Sequence, residues 1–376
     1  MPVYTLRPAI QHYAWGDTTT IPSLLGMLSS EEEPWAELWL GTHPMGESKV
    51  STFPLSGILG QHLSFLFKVI AVQNALSIQV HPNRQQAKEG FARETAAGID
   101  LWDPTRSYKD ENHKPELLLA LNDFWALVSF RDFQVIQEDF KKLQFPSLLT
   151  QSETLPVFFQ NFLSLSADHF DFPLLLKNIT QAQQQHMDKY WWIQELFRQY
   201  GKDRGVFAPI LLNLVHLNKG QAIYLEPCQL HAYLRGSGIE IMTACDNVLR
   251  LGCTKKHIDP QELLRITSCE SKEVHYVDAK TEGPLSVWTT PAEDFELIRM
   301  DVNNELLAYC RSTSAEILFC VEGTLQIKSV LHSRSLVLKK GSALIVTAQE
   351  PAIHIYGKGV VYRAAIPASM SVLHSS

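Results

Sequence analysis

The chain has no Cys-x-x-Cys pair, no long apolar run and no excess of basic residues, and each absence removes a class of protein. Its six cysteines, Cys228, Cys245, Cys253, Cys269, Cys310 and Cys320, are scattered. Such scatter argues against a thiolate zinc site or a disulfide framework and reads as reduced thiols, hence a cytoplasmic location. No window approaches the run of about 18 uncharged apolar residues that a membrane helix needs. The opening Met1-Pro2-Val3-Tyr4 lacks the basic-then-apolar pattern of a secretory leader, so the expectation is an unsecreted protein with no membrane partner. A net charge of −7 provides no broad basic field. Nucleic acid is therefore not an expected partner, and an anionic ligand has to be held by a local group of Lys and Arg.

What remains is an ordinary globular composition. At 376 residues, 45% of them apolar and 10% aromatic, the chain is long enough to bury a sizeable core in two or three domains. Up to about residue 130 it reads as short strands broken by Gly, Pro and Ser, such as Phe65-Leu66-Phe67-Lys68-Val69-Ile70, with one helical insert from Arg84 to Ala97. Phe133, Ile136, Phe140 and Leu143 then recur at helical spacing, and Gln181 to Tyr200 carries no Gly or Pro, which predicts a helical block over 131–204. The β pattern returns in Gly220-Gln221-Ala222-Ile223-Tyr224-Leu225 and continues with a helical break near Pro260 to Thr267. The expected division is a discontinuous β domain of residues 1–130 and 205–286, a helical domain of 131–204 and a C-terminal β domain of 287–376.

The stretch Leu76-Ser77-Ile78-Gln79-Val80-His81-Pro82-Asn83 sets an amide and an imidazole two residues apart in a strand-like run, where both point to one face. Buried there, each needs a partner, because an unpaired polar group costs roughly 1–3 kcal/mol. A cation would serve both; a satisfied polar pair at a strand end is the plainer alternative. Two more donors sit at strand ends. His113-Lys114-Pro115-Glu116 starts an apolar run with a carboxylate, and Gln229-Leu230-His231 ends with an imidazole. Gln79, His81, Glu116 and His231 form a two-nitrogen, two-oxygen set that suits zinc or another divalent first-row ion with one position open.

A further cluster, Gly238 to Lys256, gathers Glu240, Asp246, Asn247, Arg250, Lys255 and Lys256 around a Gly turn. A phosphate or oxyanion site needs such cations; a solvated charged loop is the alternative.

The last ninety residues alternate short strands with E-G and K-K-G turns, as in Ala315 to Ile327 and Leu338 to Val346, which suits a small antiparallel jelly roll. The phrasing resembles the cupin pattern, whose strands normally contribute histidines to one metal. In this copy the ligand positions hold Leu, Cys and Val, so it is expected to be structural, and the copy around Lys219 to His231 is expected to bear the metal.

Several motifs together resemble the type I mannose-6-phosphate isomerase family. They are L-S-I-Q-V-H-P-N, G-F-A-R-E-T-A-A-G-I, Y-K-D-E-N-H-K-P-E, H-A-Y-L and D-N-V-L-R-x-G-x-T-x-K-x-I-D, joined by Tyr13-Ala14-Trp15-Gly16 and Pro34 to Pro44. The resemblance runs through the first three quarters of the chain. It implies a mainly β protein of cupin-type jelly-roll barrels with an inserted α-helical domain. It also implies one zinc ion per chain and interconversion of mannose 6-phosphate and fructose 6-phosphate through an enediolate. Carried over by position, the zinc ligands are Gln79, His81, Glu116 and His231, and the catalytic arginine is Arg250. Lys114, Glu240 and Asp246 match polar positions lining the pocket, and Ser77, Lys68 and Lys256 match positions suited to phosphate or sugar oxygens. The base is drawn from Glu240, Lys114 or His113. Where the family usually writes T-P-K, this chain has Thr254-Lys255-Lys256. The expected partner is a small sugar phosphate, and the expected state is a monomer. Two other readings stay open: an iron-dependent cupin oxygenase, which more often presents three histidines, and a catalytically silent sugar-phosphate binder.

Overall fold

The strand His231–Thr243 organises the first half of the molecule, for which a computed structural model describes residues 2–29, 32–310, 314–332, 335–367 and 371–373. It pairs antiparallel with Phe65–Val72, Glu116–Ala120, Phe124–Phe130 and Ile78–Val80. One strand serves four neighbours because it bends. The register slips between Tyr233 and Arg235, and Gly236 adopts a φ of 124°, which a residue with a Cβ rarely accepts. A Cβ at that position would lie 2.5 Å from the Asp123 carbonyl oxygen. The half before the bend carries His231 and Tyr233, the half after it Glu240 and Met242.

Successive residues of a strand face opposite ways, and here the two faces have different tasks. Ile239 and Ile241, with Phe67, Val69, Leu117 and Leu119, pack against Ile317, Phe319, Ile345, Tyr362 and Ala364 of the second sheet. The rings of Phe67 and Phe319 meet edge to face at 6.1 Å. Apolar burial of this kind stabilises by roughly 25 cal/mol per Å². Lys68, Glu116 and Glu240 alternate with these residues and so turn to the other side, into a cavity.

The second sheet is built on Glu316–Ser329 and Ala352–Ala365, and its interior is filled by Met300, Leu318, Cys320, Val346, Ile353 and Val361. Its membership departs from the expected division. Val3–Leu6 pairs with Ala343–Val346, because this short strand finds there a free antiparallel edge. The hairpin Lys280–Glu282 and Leu285–Trp288 joins through Glu296–Asn303, so residues ahead of 287 also pair in this sheet. The chain is mainly β.

The helical block follows its phenylalanines. Phe133–Lys142, Leu155–Ser164 and Phe172–Ala182 bury Phe140, Phe158, Phe159, Phe162 and Phe172 in one core with Phe207. Asp132, Thr154 and Asp171 accept hydrogen bonds from the first turn of their helices, which satisfies backbone donors left over at a helix start. The Gly- and Pro-free text from Gln181 to Tyr200 is not one helix. It breaks after Ala182, passes Met187 at a φ of 60°, and restarts at Lys189 behind the capping carboxylate of Asp188. The inserts at Arg84–Ala96 and Pro260–Ile266 form as the sequence suggests. Among the described residues no helix is long and apolar enough to cross a membrane. Cys228, Cys245, Cys253, Cys269 and Cys320 are free thiols; the Cys310 side chain lies outside the described residues.

Candidate active site

Gln79 is the register partner of both His231 and Arg250 on the strands at its two sides. That alignment brings together residues 171 positions apart in the chain. His81 follows at the end of the same strand, and Glu116 opens the strand that pairs with the far half of His231–Thr243, opposite Met242.

The histidine tautomers follow from their neighbours. His81 Nδ1 lies 2.7 Å from the Asn247 carbonyl oxygen and His231 Nδ1 lies 3.0 Å from that of Gln229. A carbonyl only accepts, so both Nδ1 atoms carry the hydrogen and both Nε2 atoms present lone pairs. Those lone pairs face a carboxylate: His81 Nε2 is 3.4 Å from Glu116 Oε1 and His231 Nε2 is 3.5 Å from Oε2. All three residues are buried, and His81 Nε2 has no hydrogen-bond partner. Acceptors confronting acceptors in a dry site repel unless a cation sits between them. Ligand atoms about 2.1 Å from a tetrahedral zinc ion lie about 3.4 Å apart, which is the spacing found. Gln79 completes the ring, its amide 3.4 Å from His231 Nε2. As placed, the amide nitrogen donates to that lone pair; a half-turn of the amide presents its oxygen instead. Among the described residues, His81, Glu116 and His231 are the group whose ligand atoms all lie within 4.8 Å of one another.

Electrostatics agree. Burial, reinforced by Lys114, pushes the His81 imidazole down to about 3 against the pull of Glu116, so it is neutral and able to ligate. Burial works to raise Glu116, but the Lys114 ammonium beside it holds its carboxyl well below the usual range. Lys114 Nζ lies 3.2 Å from Glu116 Oε1.

Gln79, Lys114 and Glu116 line part of a cavity of about 220 Å³. Lys68, Lys114, Glu240, Asp246, Arg250 and Lys256 all reach its wall, together with Tyr13, Trp15, Glu37, Trp39, His43 and Tyr233. Lys256 lines it and Lys255 does not. Arg250 and Lys256 form no ion pair among the described residues. Burial lowers Arg250, and burial with the charges of Arg250 and Lys109 lowers Lys256 against the pull of Asp246. They are ready for an anion. Lys68 is not: its ammonium lies 2.9 Å from Glu240 Oε2 and 3.6 Å from Glu37 Oε1, and the two carboxylates outweigh burial and hold its pKa well up. Asp246 is fixed by His43. The Met45 N–H points at Nδ1 of that ring at 3.3 Å, so Nε2 carries the hydrogen and donates to Asp246 Oδ1 at 3.2 Å.

Two expected site residues fall elsewhere. His113 is absent from the cavity wall, and its Nε2 lies 3.0 Å from Asp294 Oδ2 and 3.0 Å from Arg84 Nη2. Ser77 precedes the strand of Gln79 and is absent from the cavity wall. Conversely, sequence reasoning assigned no role to Glu37, Trp39, His43 or Tyr233. A period-two signal was present: Glu37 and Trp39 alternate with Leu38 and Leu40, a carboxylate and an indole on one side of an otherwise apolar strand. Asn247, which the sequence grouped with Asp246 and Arg250, holds a loop in place. Its fully buried amide accepts from Lys109 N–H at 2.7 Å and donates to the carbonyls of Asp110 and Asn112 at 2.8 and 2.9 Å, tying that loop to the residue whose carbonyl meets His81.

Comparison with known proteins agrees with this geometry. Residues 3–133 match the family model of the phosphomannose isomerase type I catalytic domain, and residues 287–366 that of the mannose-6-phosphate isomerase cupin domain. The chain is 34% identical to mannose-6-phosphate isomerase of Escherichia coli (strain K12), over 94% of this chain and 97% of that one. To the Homo sapiens protein of the same name it is 31% identical, over 93% and 94%. A crystal structure of zinc-bound mannose 6-phosphate isomerase superposes with a TM-score of 0.88 at 33% identity, covering 98% of this chain and 100% of that one. The apo form from Salmonella typhimurium superposes with 0.87 at 32% identity, with the same coverage. The chain belongs to the type I mannose-6-phosphate isomerase family.

Proposed function

We propose that the protein is a zinc-dependent aldose–ketose isomerase that interconverts D-mannose 6-phosphate and D-fructose 6-phosphate. The observation that carries this reading is the convergence of lone pairs from His81, Glu116 and His231 beside the guanidinium of Arg250, which forms no ion pair among the described residues. When bound by these residues and Gln79, zinc supplies Lewis-acid polarisation of substrate oxygens.

The chain's own groups account for the rest. Lys256 takes the phosphate charge, and the faces of Tyr13, Trp15 and Trp39 wall the sugar. In the forward direction Glu240 removes the proton on C2; the C2–H electrons form the C1–C2 double bond of an enediolate and the aldehyde oxygen takes the negative charge. Arg250 supports that charge with a planar pair of donors in a site shielded from water, and Lys114 donates to the same oxygens. The O2 proton passes to O1, Glu240 returns its proton to C1, and C2 becomes the carbonyl. Glu240 is favoured over His113 because it faces the cavity and His113 does not. Free thiols at Cys228, Cys245, Cys253, Cys269 and Cys320 support a reducing compartment, the cytoplasm.

A coupled assay with mannose 6-phosphate, run with and without chelator, tests the reading. Isomerase activity that disappears on chelation and returns with zinc supports it. Activity indifferent to chelation, binding without turnover, or oxygen-dependent turnover restored by iron overturns it.

A further inference from the structure

We propose that Tyr233 is a positioning residue that aims Glu240 at the substrate and separates it from the metal-binding carboxylate of Glu116. This rests on the role of Glu240 given above.

Tyr233 is 3% exposed, and its hydroxyl has a single hydrogen to give. Two carboxylates compete for it: Glu240 Oε1 at 2.8 Å and Glu116 Oε2 at 3.5 Å. The nearer one takes it. Lys68 grips the other oxygen of Glu240 at 2.9 Å, and Lys68 is itself steadied by Glu37, whose second oxygen accepts from the Trp39 indole N–H at 2.9 Å. Glu240 is therefore held at both oxygens, by a neutral donor on the metal side and a cation on the other. The Tyr233 ring cannot drift, since Phe124 meets it edge to face at 5.4 Å. Without the hydroxyl, no donor stands between Glu240 and Glu116, two buried carboxylates, and Glu240 turns about its one remaining tether toward Lys68. Proton transfer is sensitive to such a turn, because a displacement of about 1 Å costs on the order of 100-fold in rate.

The test is Tyr233→Phe in the zinc-loaded enzyme, a change that keeps the ring, compared with Glu240→Gln and with the double variant. Zinc content and melting temperature confirm that each variant is folded and loaded. For Tyr233→Phe, kcat is expected to fall by about 10- to 100-fold with KM changed less than about twofold. The fraction of transferred hydrogen exchanged with solvent is expected to rise, which a merely structural role does not produce. The double variant is expected to be no slower than Glu240→Gln, since Tyr233 acts through Glu240. Impaired turnover in Glu240→Gln beside near-normal turnover and unchanged exchange in Tyr233→Phe removes the positioning role alone. Near-normal turnover in Glu240→Gln removes the role of Glu240 and with it this one. Should Tyr233→Phe lose its zinc, Phe124→Leu, which loosens the Tyr233 ring and keeps its hydroxyl, decides: unchanged kcat and unchanged exchange in that zinc-loaded variant overturn the proposal.

Discussion

His81 Nε2 and Glu116 Oε1 lie 3.4 Å apart, buried, with no hydrogen to share between them. An ion that binds this folded site and not the unfolded chain stabilises the fold, by about 2.7 kcal/mol when free metal is 100 times its dissociation constant. Chelation is therefore expected to abolish turnover and to lower the melting temperature, and zinc to restore both. Thermal melts of the same sample before and after chelation check this; an unchanged melting temperature counts against the site.

Arg250→Lys is expected to keep one zinc per chain and lose turnover by about 100- to 1,000-fold, the usual cost of a missing oxyanion donor. An ammonium preserves the charge but not the planar fork. Steady-state kinetics with metal analysis decide; near-normal turnover removes Arg250 from the chemistry.

Asp139 provides a pH-dependent contribution far from the active site. Burial works to raise its pKa, but hydrogen bonds from Lys189 at 2.5 Å, Arg131 at 2.7 Å and Tyr190 at 2.9 Å prevail and hold it below the ordinary carboxylate value. The unfolded chain then binds the proton first as pH falls. The stabilisation is complete above the unfolded pKa of about 3.9 and is lost as pH drops through the folded value. Asp139→Asn is expected to destabilise by about 3 kcal/mol at neutral pH, with the deficit shrinking below about pH 4. Urea melts at several pH values test this, and a deficit independent of pH contradicts it.

Asn247→Ala removes the hydrogen bonds that pin residues 109–112 beside the carbonyl that orients His81. A loss of about 1–3 kcal/mol is expected, with zinc affinity weakened by about 10- to 100-fold. Calorimetric zinc titration checks the second part.

The β-helix-β order and the helical inserts were legible because period and composition are local properties. Gln79, His81, Glu116 and His231, which the fold brings together, stand out in the sequence as polar groups in apolar strand text. The fate of His113 was not legible, since its partner Asp294 lies 181 positions away and nothing near His113 announces it. Lys68 looked like an anion ligand because its charge is visible in sequence, whereas Glu240 and Glu37, which neutralise it, come from two other strands. Tyr233 reads as an ordinary strand aromatic until the bend at Gly236 sets it between two carboxylates. Pairing of Val3–Leu6 with the second sheet depends on which edge is free, and no local signal carries that.

The most direct test of the metal centre is an anomalous-scattering map collected at the zinc edge from crystals of the zinc-loaded protein. One strong peak within bonding distance of His81 Nε2, His231 Nε2, a Glu116 oxygen and the Gln79 amide oxygen is the expected result. No peak there after soaking with zinc, or those four side chains turned away from a common point, contradicts the assignment.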